Sequence, residues 1–224
     1  MSWLFIAAGM SAVLNWYAVG VTNKRLEYIA KPLTLVLLLA AYAARLPLPP
    51  QWWEIVFGLG LLFSLGGDVF LMLPGNQFVM GLASFLLAQV AYVIVFNIEG
   101  VHLTTATILM AVAIGLIAFP VIGSIVNALK QAQRDRLIVP VIVYGLFLGL
   151  MFWSAAATLY RPEWTRLSAG LMAFGGAAFF LSDSVLAWDR FVKPINRARL
   201  LTMITYHSAQ FALTFGQLLH LGYL

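Results

Sequence analysis

From residue 2 onward the chain is a succession of apolar stretches, most of them close to the ~20 residues a helix needs to cross the hydrocarbon core. In lipid each stretch must satisfy its own backbone polar groups, and for an open-ended segment only a helix does so. The spans read as 2–22, 32–46, 52–72, 78–98, 104–126, 137–160, 165–187 and 198–220. This is an all-α, polytopic membrane bundle of about eight transmembrane helices, one integral membrane domain over residues 1–224. The second span, between Lys31-Pro32 and Pro47, is short and is expected to be tilted or partly interfacial. Pro32, Pro74, Pro140, Pro162 and Pro194 fall at or near span ends, where helices start or stop. Pro120, inside the fifth span, is expected to kink it.

Composition excludes a soluble alternative. Charged residues make up 9% of the chain and hydrophobic ones 62%, whereas a globular domain carries roughly 25% charged residues to hydrate its surface. The net charge of +5 does not point to nucleic acid, because the charges sit in short loops between apolar segments. Lys24, Arg25, Lys31, Lys130, Arg134, Arg136, Arg190, Lys193, Arg197 and Arg199 belong to loops one, five and seven; only Arg45, Arg161 and Arg166 lie on the other side. The positive-inside rule then puts the odd loops in the cytoplasm and both termini outside. The first stretch has no basic residue ahead of it and is followed by Lys24 and Arg25. It is therefore expected to be a retained helix rather than a signal peptide. Without cysteine there is no disulfide, thiolate nucleophile or thiolate-bound metal.

The sequence also hints at duplication. Gly67-Asp68-Val69-Phe70-Leu71 aligns with Ser182-Asp183-Ser184-Val185-Leu186, and the segment at Phe85 to Ala91 with that at Tyr206 to Ala212. Two parallel four-helix repeats would account for this. So would chance, since apolar sequence matches itself easily, and the alignment leaves both open.

Ionisable residues inside apolar helices are costly, which makes each a candidate for function. Asp68 and Asp183 each lie about four residues before the cytoplasmic end of their span, roughly 6–8 Å inside the boundary at 1.5 Å per residue. The plainer alternative is a pair of packing carboxylates solvated from the loops. Ser64 is one turn from Asp68; Gln89 and Tyr92 share a face of span four; Tyr206 and Gln210 share one of span eight, with His207 beside them and Asn15 approaching from span one. Singly, such residues are often interhelical glue. Lys31 opens span two, where it either snorkels or binds a lipid phosphate or an active-site carboxylate. The other leaflet is poorer in such groups: His102 and His220 read as exposed interface residues, and Glu54, Glu99 and Glu163 sit at span ends. Three scattered histidines without a His-Glu-x-x-His sequence do not make a zinc site, so neither metal nor cofactor is expected.

At these residues the sequence resembles the YhhN-type lysoplasmalogenase family of membrane proteins. The resembling pieces are Lys31-Pro32-Leu33-Thr34, Ser64-Leu65-Gly66-Gly67-Asp68 with Leu73-Pro74, Phe85-x3-Gln89-x2-Tyr92, Phe180-Leu181-Ser182-Asp183 with Leu186-Ala187, and Tyr206-x3-Gln210. The resemblance covers nearly the whole chain. It implies a membrane hydrolase that cleaves the vinyl-ether bond of lysoplasmalogens to a fatty aldehyde and glycerophosphocholine or glycerophosphoethanolamine. The expected partners are the lysophospholipid substrate and membrane lipids, with no nucleic acid. The residues suit that chemistry. A general acid protonates the terminal alkene carbon and water captures the oxocarbenium ion, which calls for one protonated and one ionised carboxyl group, as in glycosidases. Asp68 and Asp183 are the expected catalytic pair, with Lys31, Ser64, Gln89, Tyr92, Tyr206, His207 and Gln210 as substrate-binding candidates in the cytoplasmic half of the bilayer. The rivals are a small proton-coupled transporter, which also uses intramembrane carboxylates, and an assembly protein whose aspartates fix helix register.

Overall fold

A computed structural model describes residues 2–75 and 77–224. Its helices are α1 (Ser2–Gly20), α2 (Lys24–Ala43), α3 (Trp52–Met72), α4 (Phe78–Phe96), α5 (Thr105–Gln131), α6 (Ile138–Ala157), α7 (Arg166–Phe191) and α8 (Ala198–His220), with single 3-10 turns before and after α6. Seven of the spans are long and apolar enough to cross a membrane. α8 falls short in composition alone. Its face bearing Thr202, His207, Gln210, Thr214 and Gln217 is buried inside the bundle, so its polar residues point inward.

Three spans differ from the sequence reading, and two of the differences move a candidate residue. α2 is a full 20-residue helix that runs straight over Pro32 rather than a short one beginning there. Asn23 caps it, its side-chain oxygen accepting from Leu26 N at 3.2 Å. A proline in a helix interior costs ~3 kcal/mol by removing a bond and crowding the previous turn. Neighbouring hydroxyls brace this turn: Ser11 Oγ and Thr34 Oγ1 each donate to the Ala30 carbonyl at 2.9 Å. Lys31 therefore lies about two turns inside α2 rather than at its mouth. α7 continues to Phe191, so Asp183 is eight residues from its end, twice the distance separating Asp68 from Met72 at the end of α3. α5 likewise runs on to Gln131.

α1 packs on α2 and α8, α3 on α2 and α4, α6 on α4, α5 and α7, and α7 on α8. α5 is peripheral, with few buried residues. The core is aromatic around the candidate residues, Tyr206 meeting Phe85 and Phe179 edge-on at 5.6 and 5.7 Å between ring centroids. Glycine permits the close approach. A Cβ at Gly60 would stand 2.5 Å from the Tyr92 ring, and one at Gly175 would stand 2.8 Å from Leu213. These two contacts occupy corresponding places in the two halves of the chain, with the same offsets that relate Asp68 to Asp183 and Gln89 to Gln210.

The end of the bundle away from the basic loops holds more buried polarity than the sequence suggested. Glu54 and Arg161 are almost fully buried. They tie loops together: Glu54 accepts from Gln51 N and Tyr223 Oη, each at 2.7 Å, and Arg45 donates to the Tyr223 carbonyl at 2.7 Å. Arg161 donates to the Phe96 carbonyl and, at 2.9 Å, to Asn97 Oδ1. His220 is not exposed; it stacks on Trp164 with 3.7 Å between centroids.

Candidate active site

Asp68 is 1% exposed, and Lys31 reaches across from α2 to place its Nζ 3.2 Å from Asp68 Oδ1. Removing one partner of such a buried pair costs ~3–5 kcal/mol, because the other charge is left uncompensated. The Tyr206 phenol also interacts with Asp68 and makes a long bond, 3.4 Å, to the Ser64 carbonyl. At Asp183 the partner is of another kind. Asp183 Oδ2 accepts a hydrogen bond from Tyr144 on α6. Each aspartate is thus met by a residue of the preceding helix, a lysine in one half and a phenol in the other. The two carboxyl groups lie close enough for their charges to interact.

The remaining sequence candidates gather on the same inner surface. Tyr92 donates to Gln210 Oε1 at 2.9 Å and lies beside Ser64. Gln89 is fully buried near Tyr144. His207 is also fully buried, and its Nδ1 accepts from Trp16 Nε1 at 3.0 Å. A ring nitrogen that accepts carries no hydrogen, so the neutral imidazole has its proton on Nε2. That nitrogen and both amide atoms of Asn15 have no hydrogen-bond partner among the described residues.

Two spaces lie nearby, one walled in part by Asp183 and the other by Lys31. An apolar groove between α4, α5, α6 and α7 includes Phe78, Phe85, Ile122, Leu148 and Phe180, with Asp183 and Tyr144 in its wall. A polar cleft of about 180 Å³ opens between α2, α7 and α8, and Lys31, Lys24, Glu27, Asp189 and Arg199 line it. Leu71 and Leu186 line both spaces, so the cleft and the groove lie on either side of these two side chains. Together they place a polar compartment next to an apolar one, an arrangement that suits a single-chain amphiphile.

Residues 26–217 match the family model described as the YhhN family. The chain belongs to the YhhN family. Among its relatives, Lysoplasmalogenase TMEM86B of Homo sapiens is 33% identical over 158 residues, 70% of this chain and 61% of the relative. Lysoplasmalogenase TMEM86A of Bos taurus is 31% identical over 157 residues, covering 68% and 60%. Uncharacterized membrane protein YhhN of Escherichia coli O157:H7 is 26% identical over 214 residues, 94% of this chain and 96% of that one. The chain therefore spans about three fifths of the length of the mammalian lysoplasmalogenases it matches and nearly all of its bacterial relative. No solved structure matches.

Sequence reasoning missed Tyr144, Trp16, Leu71, Leu186 and the pair formed by Arg199 Nη2 with both Glu27 oxygens, at 2.6 and 2.7 Å. For Tyr144 a signal existed. Extending the repeat from the third and seventh spans back to the second and sixth brings Lys31 and Tyr144 within two positions of each other. The leucines carry no polar mark to distinguish them from other core residues.

Proposed function

We propose that this YhhN-family protein hydrolyses the vinyl-ether bond of lysoplasmalogen-like lysophospholipids, with Asp183 and Asp68 as its catalytic carboxyl groups. The observation that carries this reading is the boundary at Leu71 and Leu186, which line the polar cleft on one side and the apolar groove on the other. A lipid with its headgroup in the polar cleft and its chain in the apolar groove runs its ether linkage past that boundary, beside Asp183. The lysoplasmalogenase names of the mammalian relatives support the same substrate class.

The two aspartates divide the work by their partners. Tyr144 engages Asp183 at Oδ2, leaving Oδ1 to carry the transferable proton. Asp183 gives that proton to the alkene carbon one removed from the ether oxygen, generating an oxocarbenium ion on the adjacent carbon. Asp68, held as a carboxylate by Lys31, stabilises the cation and takes a proton from the water that adds to it. The resulting hemiacetal collapses to a fatty aldehyde and the glycerol hydroxyl. One proton has left Asp183 and one has reached Asp68, and its return between neighbouring carboxyl groups resets the site. General acid–base help of this kind is worth ~10²–10⁴ in rate.

Orientation belongs to the same proposal: the Lys/Arg asymmetry puts the polar cleft on the cytoplasmic side and both termini outside. A reporter fused after Leu224 is expected to behave as extracytoplasmic, and cytoplasmic behaviour would move the site to the other leaflet. For activity, the purified protein is mixed with a lysoplasmalogen and released aldehyde is measured directly. Aldehyde should appear in proportion to protein; none at all would reject the hydrolase and return the aspartates to transport.

A further inference from the structure

We propose that the cleft between α2, α7 and α8 is a phosphodiester site, in which Lys31, Thr202 and Lys24 hold the headgroup phosphate of a single-chain lipid. The proposal rests on the lipid reading above and adds the residues that recognise the head. Lys31 is 4% exposed and faces two ways, contributing to the cleft wall while its ammonium pairs with Asp68. Thr202 supplies the second observation. It lines the same cleft, is 3% exposed, and its Oγ1 has no hydrogen-bond partner among the described residues. A buried hydroxyl in that state is suited to donate to a ligand oxygen. α8 begins at this edge with no side-chain cap on its first turn, so its N-terminal dipole adds to the attraction for an anion.

The acidic residues of the cleft are already engaged. Glu27 is held by Arg199 through both oxygens and by Lys24 at 3.3 Å. Asp189 Oδ1 accepts from Ile195 N at 2.8 Å. Lys31 and Lys24 each keep ammonium hydrogens beyond their ion pairs with Asp68 and Glu27, and Thr202 Oγ1 adds a hydroxyl donor. That is the complement of a phosphodiester, whose oxygens only accept. Because Lys31 is shared, a phosphate in the cleft fixes the distance from the headgroup to Asp68, and so fixes which bond of the chain lies at Leu71 and Leu186.

The test uses the full-length protein in lipid nanodiscs and two alkenyl substrates, 1-alkenyl-glycerophosphocholine and 1-alkenylglycerol, which lacks phosphate. Thr202→Val keeps shape and removes the donor. Lys24→Gln removes an exposed charge whose pair with Glu27 contributes little to folding. For the phosphorylated substrate, Thr202→Val should raise KM about tenfold, the scale of one hydrogen bond to a charged group, and Lys24→Gln should raise it several-fold, with kcat unchanged. Kinetics on 1-alkenylglycerol should not move with either variant. Parallel changes on both substrates, or on neither, would overturn the assignment. Binding of a saturated 1-alkyl lysophosphocholine, which has no alkene to protonate, is measured separately and should weaken by the same factors. If that lipid binds with those losses while the alkenyl lipid yields no aldehyde, the phosphate site stands and the hydrolase reading falls. Glycerophosphocholine should compete for the site, and inorganic phosphate should compete much less. Equal competition by inorganic phosphate would make this a free-phosphate site and overturn the headgroup assignment.

Discussion

Asp68 and Asp183 occupy corresponding positions in the two halves of the chain, yet their neighbours differ in kind. Asp68 faces the ammonium of Lys31; Asp183 faces the neutral phenol of Tyr144. A buried carboxyl group beside a fixed cation is stabilised as the anion, whereas one that meets only a neutral donor can remain a carboxylic acid. The surroundings diverge in the same sense, since Lys31 opens to the polar cleft and Asp183 to the apolar groove. A carboxyl group met by the preceding helix thus has a charged partner in one place and a neutral one in the other, which suits the proposed division into an acid and a base. Vinyl-ether hydrolysis needs both.

The comparison is most severely tested by removing each carboxyl group in turn. Asp183→Asn and Asp68→Asn keep volume and hydrogen bonding but lose proton and charge, and each should lower aldehyde release by ~10²–10⁴. The double variant should be hardly worse than the poorer single one, because groups acting as a unit lose their effect together. Near-normal release from the double variant would show that the pair only holds helices. Exchanging the cation comes next. Lys31→Met should destabilise the protein by ~3–5 kcal/mol through the orphaned carboxylate, measured as a lower unfolding midpoint, and aldehyde release should fall with it. Lys31→Met combined with Asp68→Asn should recover most of that stability while activity stays low. Recovery of both would place Asp68 outside the chemistry.

A smaller effect is expected on the other side of the comparison. Tyr144→Phe removes one hydrogen bond to Asp183, worth ~0.5–1.5 kcal/mol, so turnover should drop by roughly tenfold or less with little change in stability. A loss as large as that of Asp183→Asn would make Tyr144 itself the proton donor. The smallest change is expected from Ser64→Ala, which lies beside Tyr92 and can only orient its neighbours. Its kcat should stay within a few-fold of the unmodified protein, and a greater loss in a steady-state assay would bring Ser64 into the reacting set.

The helices were legible because hydropathy is a local property: a run of apolar side chains must bury its own backbone bonds whatever surrounds it. The two aspartates were legible for the same reason, since a charge in such a run is conspicuous. α2 was misjudged because Pro32 reads as a start signal. Only packing reveals that Ser11, from another helix, helps brace the adjacent turn. Asp183 was placed too near its helix end because the apolar run stops at residue 187, before Trp188, Asp189 and Arg190, although α7 remains helical through them to Phe191.

By itself, then, the sequence determined an all-helical membrane protein, the number of its helices, and two carboxyl groups within apolar helices. Tertiary structure decided their partners. Tyr144 lies 39 residues from Asp183, and Trp16 lies 191 from His207. Nothing local in an apolar helix states which of its faces will meet which neighbour. That Leu71 and Leu186 line both the cleft and the groove was decided in the same way. Two ordinary leucines acquire a role only because α3 and α7 bring them to the boundary between a charged space and a greasy one.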